Sequence, residues 1–435
     1  MSAPGLVIAA PASGAGKTTV TIGLMRALRR RGRAVQSFKA GPDYIDPAFH
    51  AAATGRPSLN LDTWAMAPGT LAALAAGAGG DIAIAEGVMG LFDGVGADGR
   101  SGQGTTADLA ARLGWPVVLV LDVAAQAATA AAVAQGLAHY RDDVTVGGVI
   151  LNRVAGEGHR RLIAPALERI GLPLLGWLPR DVRFELPERH LGLVQAGETD
   201  DLAARLDRLA EAIEATVDLD AVERAARPAR PIAPTPLALR PPGQRIAVAR
   251  DRAFSFLYPH LLDAWRAGGA ELTFFSPLAD EAPAAQADAV WLPGGYPELH
   301  AGTLAAAARF RAGLQARAAA GAAIHGECGG YMALGQGLED ADGRRHAMAG
   351  LLQVETSFAR RAFHLGYRRA RLLADGALGT AGKVVLGHEF HFATVVRVGD
   401  QPLVDCRDAH GQAVPEAGAR RGRVSGSFFH LIDAE

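Results

Sequence analysis

The sequence predicts an α/β protein built as two units, each around a mainly parallel sheet. Three observations carry this. Short apolar runs of strand length alternate with helical patterns along most of the chain, as parallel layers require. One stretch, RPARPIAPTPLALRPPG at 227–243, interrupts that alternation. On each side of it, one apolar run passes through a glycine-bearing turn into a helical stretch, the arrangement that presents chemistry at a sheet edge.

Before the interruption, strands are expected near 5–10, 34–39, 81–86, 117–122, 145–151 and 173–178. The stretch KTTVTIGLMRALRRRG reads as a helix ending at Gly32. AALAAGAGG and AAQAATAAAVAQ are alanine-rich, which helix formation explains without any special role. Proline removes backbone donors and fixes φ, so 227–243 suits neither a helix nor a central strand and is expected to be an extended linker. This divides the chain into 1–226, 227–243 and 244–435. After the linker, strands are expected near 245–250, 271–275, 288–292 and 322–326, followed by a more β-rich tail over about 350–398 and 423–429. No repeat of solenoid period is present.

At 435 residues the chain exceeds one ordinary core. A formal net charge of −1 provides no field for nucleic acid or an anionic membrane, so neither partner is expected. No apolar run reaches the twenty or so residues of a spanning helix, and the first residues lack the features of a signal peptide. The two cysteines, Cys328 and Cys406, do not make a disulfide framework. A soluble, cytoplasmic protein is expected.

LVIAAPASGAGKTT, residues 6–19, runs a strand into a turn and a helix. A strict phosphate loop reads G-x-x-x-x-G-K-[ST], and Pro11 stands at its first glycine. The rest of the pattern is intact. Gly14 and Gly16 permit close approach, and the helix start presents N–H groups to an anion. Ser13, Lys17, Thr18 and Thr19 complete the cradle, with Lys17 for the terminal phosphates and Thr18 for Mg²⁺. FKAGPDYIDPAFH (38–50) brings Lys39, Asp43 and Asp46 to the end of the second strand, where open α/β sheets bind ligands. The acids also suit turns beside Pro42 and Pro47. IAIAEGVMGLFDG (82–94) places Glu86 at another strand end, where a carboxylate can hold Mg²⁺ directly or through water. Asp122 is a weaker metal candidate. Asn152, in GGVILNRV, is a candidate for reading an adenine edge.

AAIHGECGGYMAL (322–334) sets Cys328 among glycines between a strand and a helical pattern. Such glycines allow the strained turn that exposes a nucleophile, and the Gly329 N–H would serve an oxyanion. VWLPGGYPELH (290–300) offers a second donor, the Gly295 N–H. The thiol needs a base, and His430 in VSGSFFHLIDAE is the candidate. Cys406 lacks any such frame. GHEFHFAT (387–394) does not have the helical H-E-x-x-H spacing. As a strand it sends His388 and His391 to opposite faces, which favours a substrate-contacting or interface role over a metal site.

With both sites placed, the chain resembles the glutamine-dependent cobyrinic acid a,c-diamide synthases throughout. The N-terminal stretches SGAGKTT, KAGPDYIDPAFH, NLDTW, EGVMGLFDG and LPERHLGL are similar to a dethiobiotin-synthetase-like phosphate-loop domain. DRAFSFLYP, LPGGYPELH, GECGGYM, GHEFHF and GSFFHL resemble a class I glutamine amidotransferase α/β domain. The resemblance implies that ATP converts the a and c acetate carboxylates of a corrin into acyl phosphates. It also implies that glutamine is hydrolysed at Cys328 with His430 as base, that Asp43, Asp46 and His190 serve the activated substrate, and that Mg²⁺ accompanies ATP, with Asp46 joining Thr18 and Glu86 at the metal. A homodimer is compatible with it. Class I amidotransferases usually place a glutamate two residues after the base. Here Ile432 stands there, Asp433 would face elsewhere in a strand, and the group orienting His430 is not identified by sequence. Hydrogenobyrinic acid (metal-free) and cobyrinic acid (cobalt-bearing) are not separable by motif, and composition leans weakly to the former. The alternatives are amidation of a nickel sirohydrochlorin and, from another class, a phosphate-loop switch ATPase with a regulatory domain. Such ATPases usually carry a second lysine early in the loop, where Ala12, Ser13 and Ala15 stand here.

Overall fold

The computed structural model describes residues 3–435 apart from 78, 185, 187, 190, 191, 194 and 200. The chain divides into two compact units, Met1–Pro236 and Leu237–Glu435. In the first unit, β1 (Gly5–Ala9), β2 (Val35–Ala40), β3 (Leu59–Leu61), β4 (Ile82–Glu86), β5 (Val117–Asp122), β6 (Val146–Val154) and β7 (Leu174–Pro179) form one sheet. Its order is β3-β2-β4-β1-β5-β6-β7, and every pairing is parallel. Strand β1 lies between β4 and β5 and is buried along its whole length. Fully burying each of its larger aliphatic side chains contributes about 1.5–3 kcal/mol, enough to fix this apolar run at the sheet centre.

Helix α1 (Lys17–Arg30) follows β1, and α2 (Asp46–Thr54) follows β2. After β1 the chain goes to one side of it, and β5 returns on the other. This is the switch point at which a crevice opens beyond the carboxyl ends of the strands. Lys39, Glu86, Asp122 and Asn152 all stand at those ends, with Lys39 opposite Glu86 and Asp122 opposite Asn152 in register. The six expected strands are present with ends shifted by no more than three residues. Strand β3 was not expected: three residues are too few to show a period, and they are extended because they pair with Phe38–Ala40 of β2.

The proline-rich stretch follows both units in turn. Arg227 exchanges two backbone hydrogen bonds with Gly5 (2.8 and 3.0 Å), and the N–H groups of Arg230 and Thr235 donate to the carbonyls of Leu113 and Gly69. Further on, the Ala238 carbonyl accepts from Lys383 at 2.8 Å, within the second unit.

In the second unit the strands Glu271–Phe275, Arg245–Ala249, Ala289–Leu292, Ala323–Glu327 and Val424–Ser427 lie side by side in that order, all parallel. Ala419–Arg421 closes the edge antiparallel. The chain then leaves this sheet and continues as Phe429–Ala434, which pairs antiparallel with Val384–His391 in a four-stranded sheet. His430 lies at that crossing, opposite His388 in register. The β-rich tail starts earlier than expected, with the strand Gly337–Glu339. Among the described residues, no helix is long and apolar enough to cross a membrane.

Candidate active sites

The first site is a cleft of about 970 Å³ in the N-terminal unit. Ser13, Gly14, Gly16, Lys17, Thr18, Thr19, Lys39, Asp43, Asp46, Glu86 and Asn152 all line it. The departure at Pro11 has a simple account. The left-handed backbone of the loop falls on Gly14 (φ 78°) and Gly16 (φ 88°), so position 11 carries no such demand. Gly16 also cannot take a side chain, because a Cβ there would lie 2.0 Å from Asn152 Nδ2.

Behind the loop lies a buried charge cluster. Thr18 Oγ1 donates to Glu86 Oε1 at 2.6 Å. Lys39 Nζ donates to Asp46 Oδ2 at 2.6 Å and to Glu86 Oε1 at 3.1 Å. His50 Nε2 meets Glu86 Oε2 at 2.6 Å. Burial pushes the Glu86 carboxyl up, but Lys39, His50 and Thr18 outweigh it and hold it well below its ordinary value. Burial also works against the Lys39 ammonium, and Asp46, Glu86 and Asp43 more than restore it. Asp46 is pushed up to about 8 by burial and by Asp43, with Lys39 pulling the other way. Two buried carboxylates thus share one lysine, and that surplus of hard oxygen donors suits a second, divalent cation. Thr18, Glu86 and Asp46 are the residues that could hold Mg²⁺.

Lys17 Nζ donates to the carbonyl of Met89 at 2.5 Å and that of Ala12 at 3.3 Å. Burial and the neighbouring Lys39 lower its pKa, so an incoming polyphosphate would restore a charge that the cluster disfavours. Met89 holds a left-handed φ of 47°, costly for a side chain with a Cβ, and this strain aims its carbonyl at Lys17. Asp43 caps the next turn by accepting from the N–H groups of Ile45 (2.7 Å) and Asp46 (3.1 Å), as the turn reading expected. Asn152 Nδ2 donates to the Ala15 carbonyl at 3.0 Å, so its amide braces the phosphate loop. Asp122 is paired with Arg153 at 2.5 Å. His190 lies outside the described residues. His50 was missed by sequence, although Asp46 and His50 stand one turn apart on α2, a spacing that puts both on one face.

The second site is in the C-terminal unit. Cys328, between the strand Ala323–Glu327 and the helix Gly329–Leu334, has φ 45° and ψ −102°. A non-glycine residue in that region stores strain of the kind that presents a nucleophile. Burial pushes its thiol above the ordinary value, as does Glu298, while the Gly329 N–H acts the other way. The resting thiol therefore keeps its proton and needs a base. Burial, with His388 and His391, holds His430 well below the usual histidine value, so its imidazole is neutral and able to accept one. The ring of His430 lies against the Gly294-Gly295 turn. A Cβ on Gly294 would be 2.2 Å from His430 Cε1, which only glycine avoids. A Cβ on Gly329 would be 3.1 Å from the Gly295 nitrogen, so both oxyanion candidates and the base border one turn.

Nearby, Glu389 pairs with Arg368 (2.5 Å) and His391 (2.8 Å), and the His391 ring stacks on Phe428 with centroids 3.8 Å apart. His364, Glu389 and His391 bring ligand atoms within 4.8 Å of one another. The acid is already neutralised by Arg368, and the two imidazoles stack face to face at 9°, which suits packing better than convergence on an ion. Cys406 is buried in the strand Val404–Arg407, away from any comparable glycine frame.

Residues 6–194 match the family described as the CobQ/CobB/MinD/ParA nucleotide binding domain. Residues 245–435 match the CobB/CobQ-like glutamine amidotransferase domain. A hydrogenobyrinate a,c-diamide synthase of Mesorhizobium japonicum is 58% identical over 437 residues, covering 99% of each chain. The chain belongs to the hydrogenobyrinate a,c-diamide synthase family. Synthases of the same name from Rhodobacter capsulatus (57% identical, 98% of each chain) and Agrobacterium fabrum (54%, 99% of each chain) are also similar to it. Membership of this family makes the chain a glutamine-dependent, amide-forming ligase that uses a nucleotide. It also accounts for a chain with two unlike sites, and the reading as a switch ATPase with a regulatory domain falls away.

Proposed function

We propose that the chain amidates the a and c acetate carboxylates of hydrogenobyrinate, with ATP and glutamine as cosubstrates, in cobalamin biosynthesis. The observation that carries this reading is the near full-length likeness to synthases of that name, and the phosphate-loop cleft in one unit and the strained Cys328 in the other support it.

In the N-terminal cleft a substrate carboxylate oxygen attacks the γ-phosphorus of ATP, and ADP leaves. The product is an acyl phosphate. Lys17 and the N–H groups at the start of α1 balance the charge that develops on the phosphates. Mg²⁺, held by Thr18, Glu86 and Asp46, would supply further neutralisation of the phosphate oxygens. Lys39 keeps the two acids from repelling the incoming anions. In the C-terminal unit the Cys328 sulfur attacks the glutamine side-chain carbonyl as His430 takes the thiol proton. The N–H groups of Gly329 and Gly295 receive the oxyanion. His430 returns the proton to the departing nitrogen, and ammonia leaves a thioester. Water then releases glutamate and the thiol. Ammonia attacks the acyl phosphate and displaces phosphate, giving the amide. Exclusion of water protects both the acyl phosphate and the unprotonated ammonia.

The purified enzyme, given ATP, glutamine and either metal-free or cobalt-bearing corrin, should add two amides to the metal-free substrate, counted by mass. Faster double amidation of the cobalt corrin would contradict the substrate assignment. An unchanged mass on both would contradict the reaction.

A further inference from the structure

The base His430 has a carboxylate beside it that comes from an unexpected place in the chain. Ile432 stands where an orienting glutamate is usual in class I amidotransferases, and it is buried and apolar. Asp433 is also buried, and one of its oxygens accepts the N–H of Ala434 at 2.8 Å. Glu327 is the last residue of the strand Ala323–Glu327 and directly precedes the nucleophile. Its Oε2 lies 3.8 Å from His430 Nδ1, with both side chains almost completely buried. Its Oε1 accepts the Leu431 N–H at 2.8 Å. One oxygen thus fastens the backbone just after the base, which leaves the other facing the ring.

We propose that Glu327 is the positioning residue of His430, holding the imidazole with its proton on Nδ1 so that Nε2 is the nitrogen that takes the Cys328 proton. The assignment rests on the reading of Cys328 and His430 as the glutaminase pair. The topology makes it workable. Ala323–Glu327 and Val424–Ser427 are parallel neighbours with Glu327 opposite Ser427, and the chain reaches His430 three residues later as it changes sheets. A carboxyl group at the end of the strand that leads into the nucleophile therefore lies beside the base, a role that needs no acid after the histidine.

Energetics favour the transition state over the resting state. At rest His430 is neutral and offers the Glu327 carboxyl, 3.8 Å away, no charge that would favour its ionised form. Burial pushes Glu327 up to about 8, with the Leu431 N–H and the Trp291 side chain pulling the other way, so its charge is poorly supported until an imidazolium faces it. When His430 accepts the thiol proton, an imidazolium and a carboxylate face each other where water is excluded, and their attraction is strongest then. Catalytic hydrogen bonds are often long before substrate binds and tighten in the Michaelis complex, so a separation of 3.8 Å is compatible with the role.

Glu327→Gln separates this role from a structural one, because its amide carbonyl still accepts the Leu431 N–H and only the charge is lost. Glutamine-driven kcat should fall about a hundredfold, within the usual range for a general-base contribution, with KM for glutamine changed less than about twofold. Placing Glu327→Gln on a His430→Ala background should add almost no further loss, because the two act as a unit. Ammonia-driven amidation, which needs no thiol, reports on folding. Glutamine-driven kcat within about threefold of the unsubstituted enzyme overturns the proposal, as does a loss shared by the ammonia-driven reaction. If His430→Ala and Cys328→Ala themselves keep glutamine-driven activity, the glutaminase reading fails first, and that outcome is distinct from a failure of Glu327 alone.

Discussion

Lys17→Ala should lose amide formation with glutamine and with ammonium alike, by about a hundred- to a thousandfold. Losing one preorganised contact to developing charge costs about 2.7–4 kcal/mol, and no supply of ammonia replaces carboxylate activation. Lys17 is suited to this because burial and Lys39 lower its pKa, so a polyphosphate would favour its charged form, and two backbone carbonyls accept from its ammonium. Glu86→Gln should give a comparable loss while leaving ATP binding largely intact, because it removes charge from the metal and spares the cradle. It also removes one of the two carboxylates on Lys39 and the carboxylate on His50. The measurement is ADP release and amide count, with corrin, ammonium and saturating ATP, and the two should fall together. Near-normal amidation by Lys17→Ala would make residues 10–16 an ordinary turn.

Much of this was legible because the two sites are local in sequence. Strand, glycine turn and helix occur within 6–30, and the same order recurs around Cys328, so periodicity and glycine placement located both. Strand ends could be read as well: Glu86 and Lys39 close apolar runs, and the parallel register sets them opposite each other. What escaped was non-local. The pairing of His50 with Glu86 spans 36 residues, and an i, i+4 spacing with Asp46 is its only sequence signal. Glu327 gives still less. An acid before a nucleophile is unremarkable until the chain, about a hundred residues later, switches sheets and brings His430 beside it. Strand β3 escaped for another reason, since three residues contain no period. Asn152 lies inside β6, two residues before its end, and its amide donates to the loop carbonyl of Ala15. Only the fold could reveal that partner.

Cys328→Ala should abolish glutamine-driven amidation and keep ammonia-driven amidation. The nucleophile and the phosphate cradle belong to different units, Leu237–Glu435 and Met1–Pro236. The substitution removes one sulfur from a buried site, and alanine fits where the thiol was, so the fold should survive. Strain favours it too, because a smaller side chain is no worse at φ 45°. Glutamate release should vanish with the thiol, since neither His430 nor the oxyanion donors can form the thioester. Loss of a nucleophile typically costs about a millionfold in kcat, so any residual glutamate release should lie below detection beside the intact pair.

The most direct test of the central claim, that one unit frees ammonia and the other activates the carboxylate, is a mass count of amides on metal-free corrin. Cys328→Ala is supplied with ATP and either glutamine at neutral pH or concentrated ammonium at raised pH. The account predicts an unchanged mass with glutamine and the full diamide with ammonium. Diamide formed from glutamine, or none formed from ammonium, would contradict it.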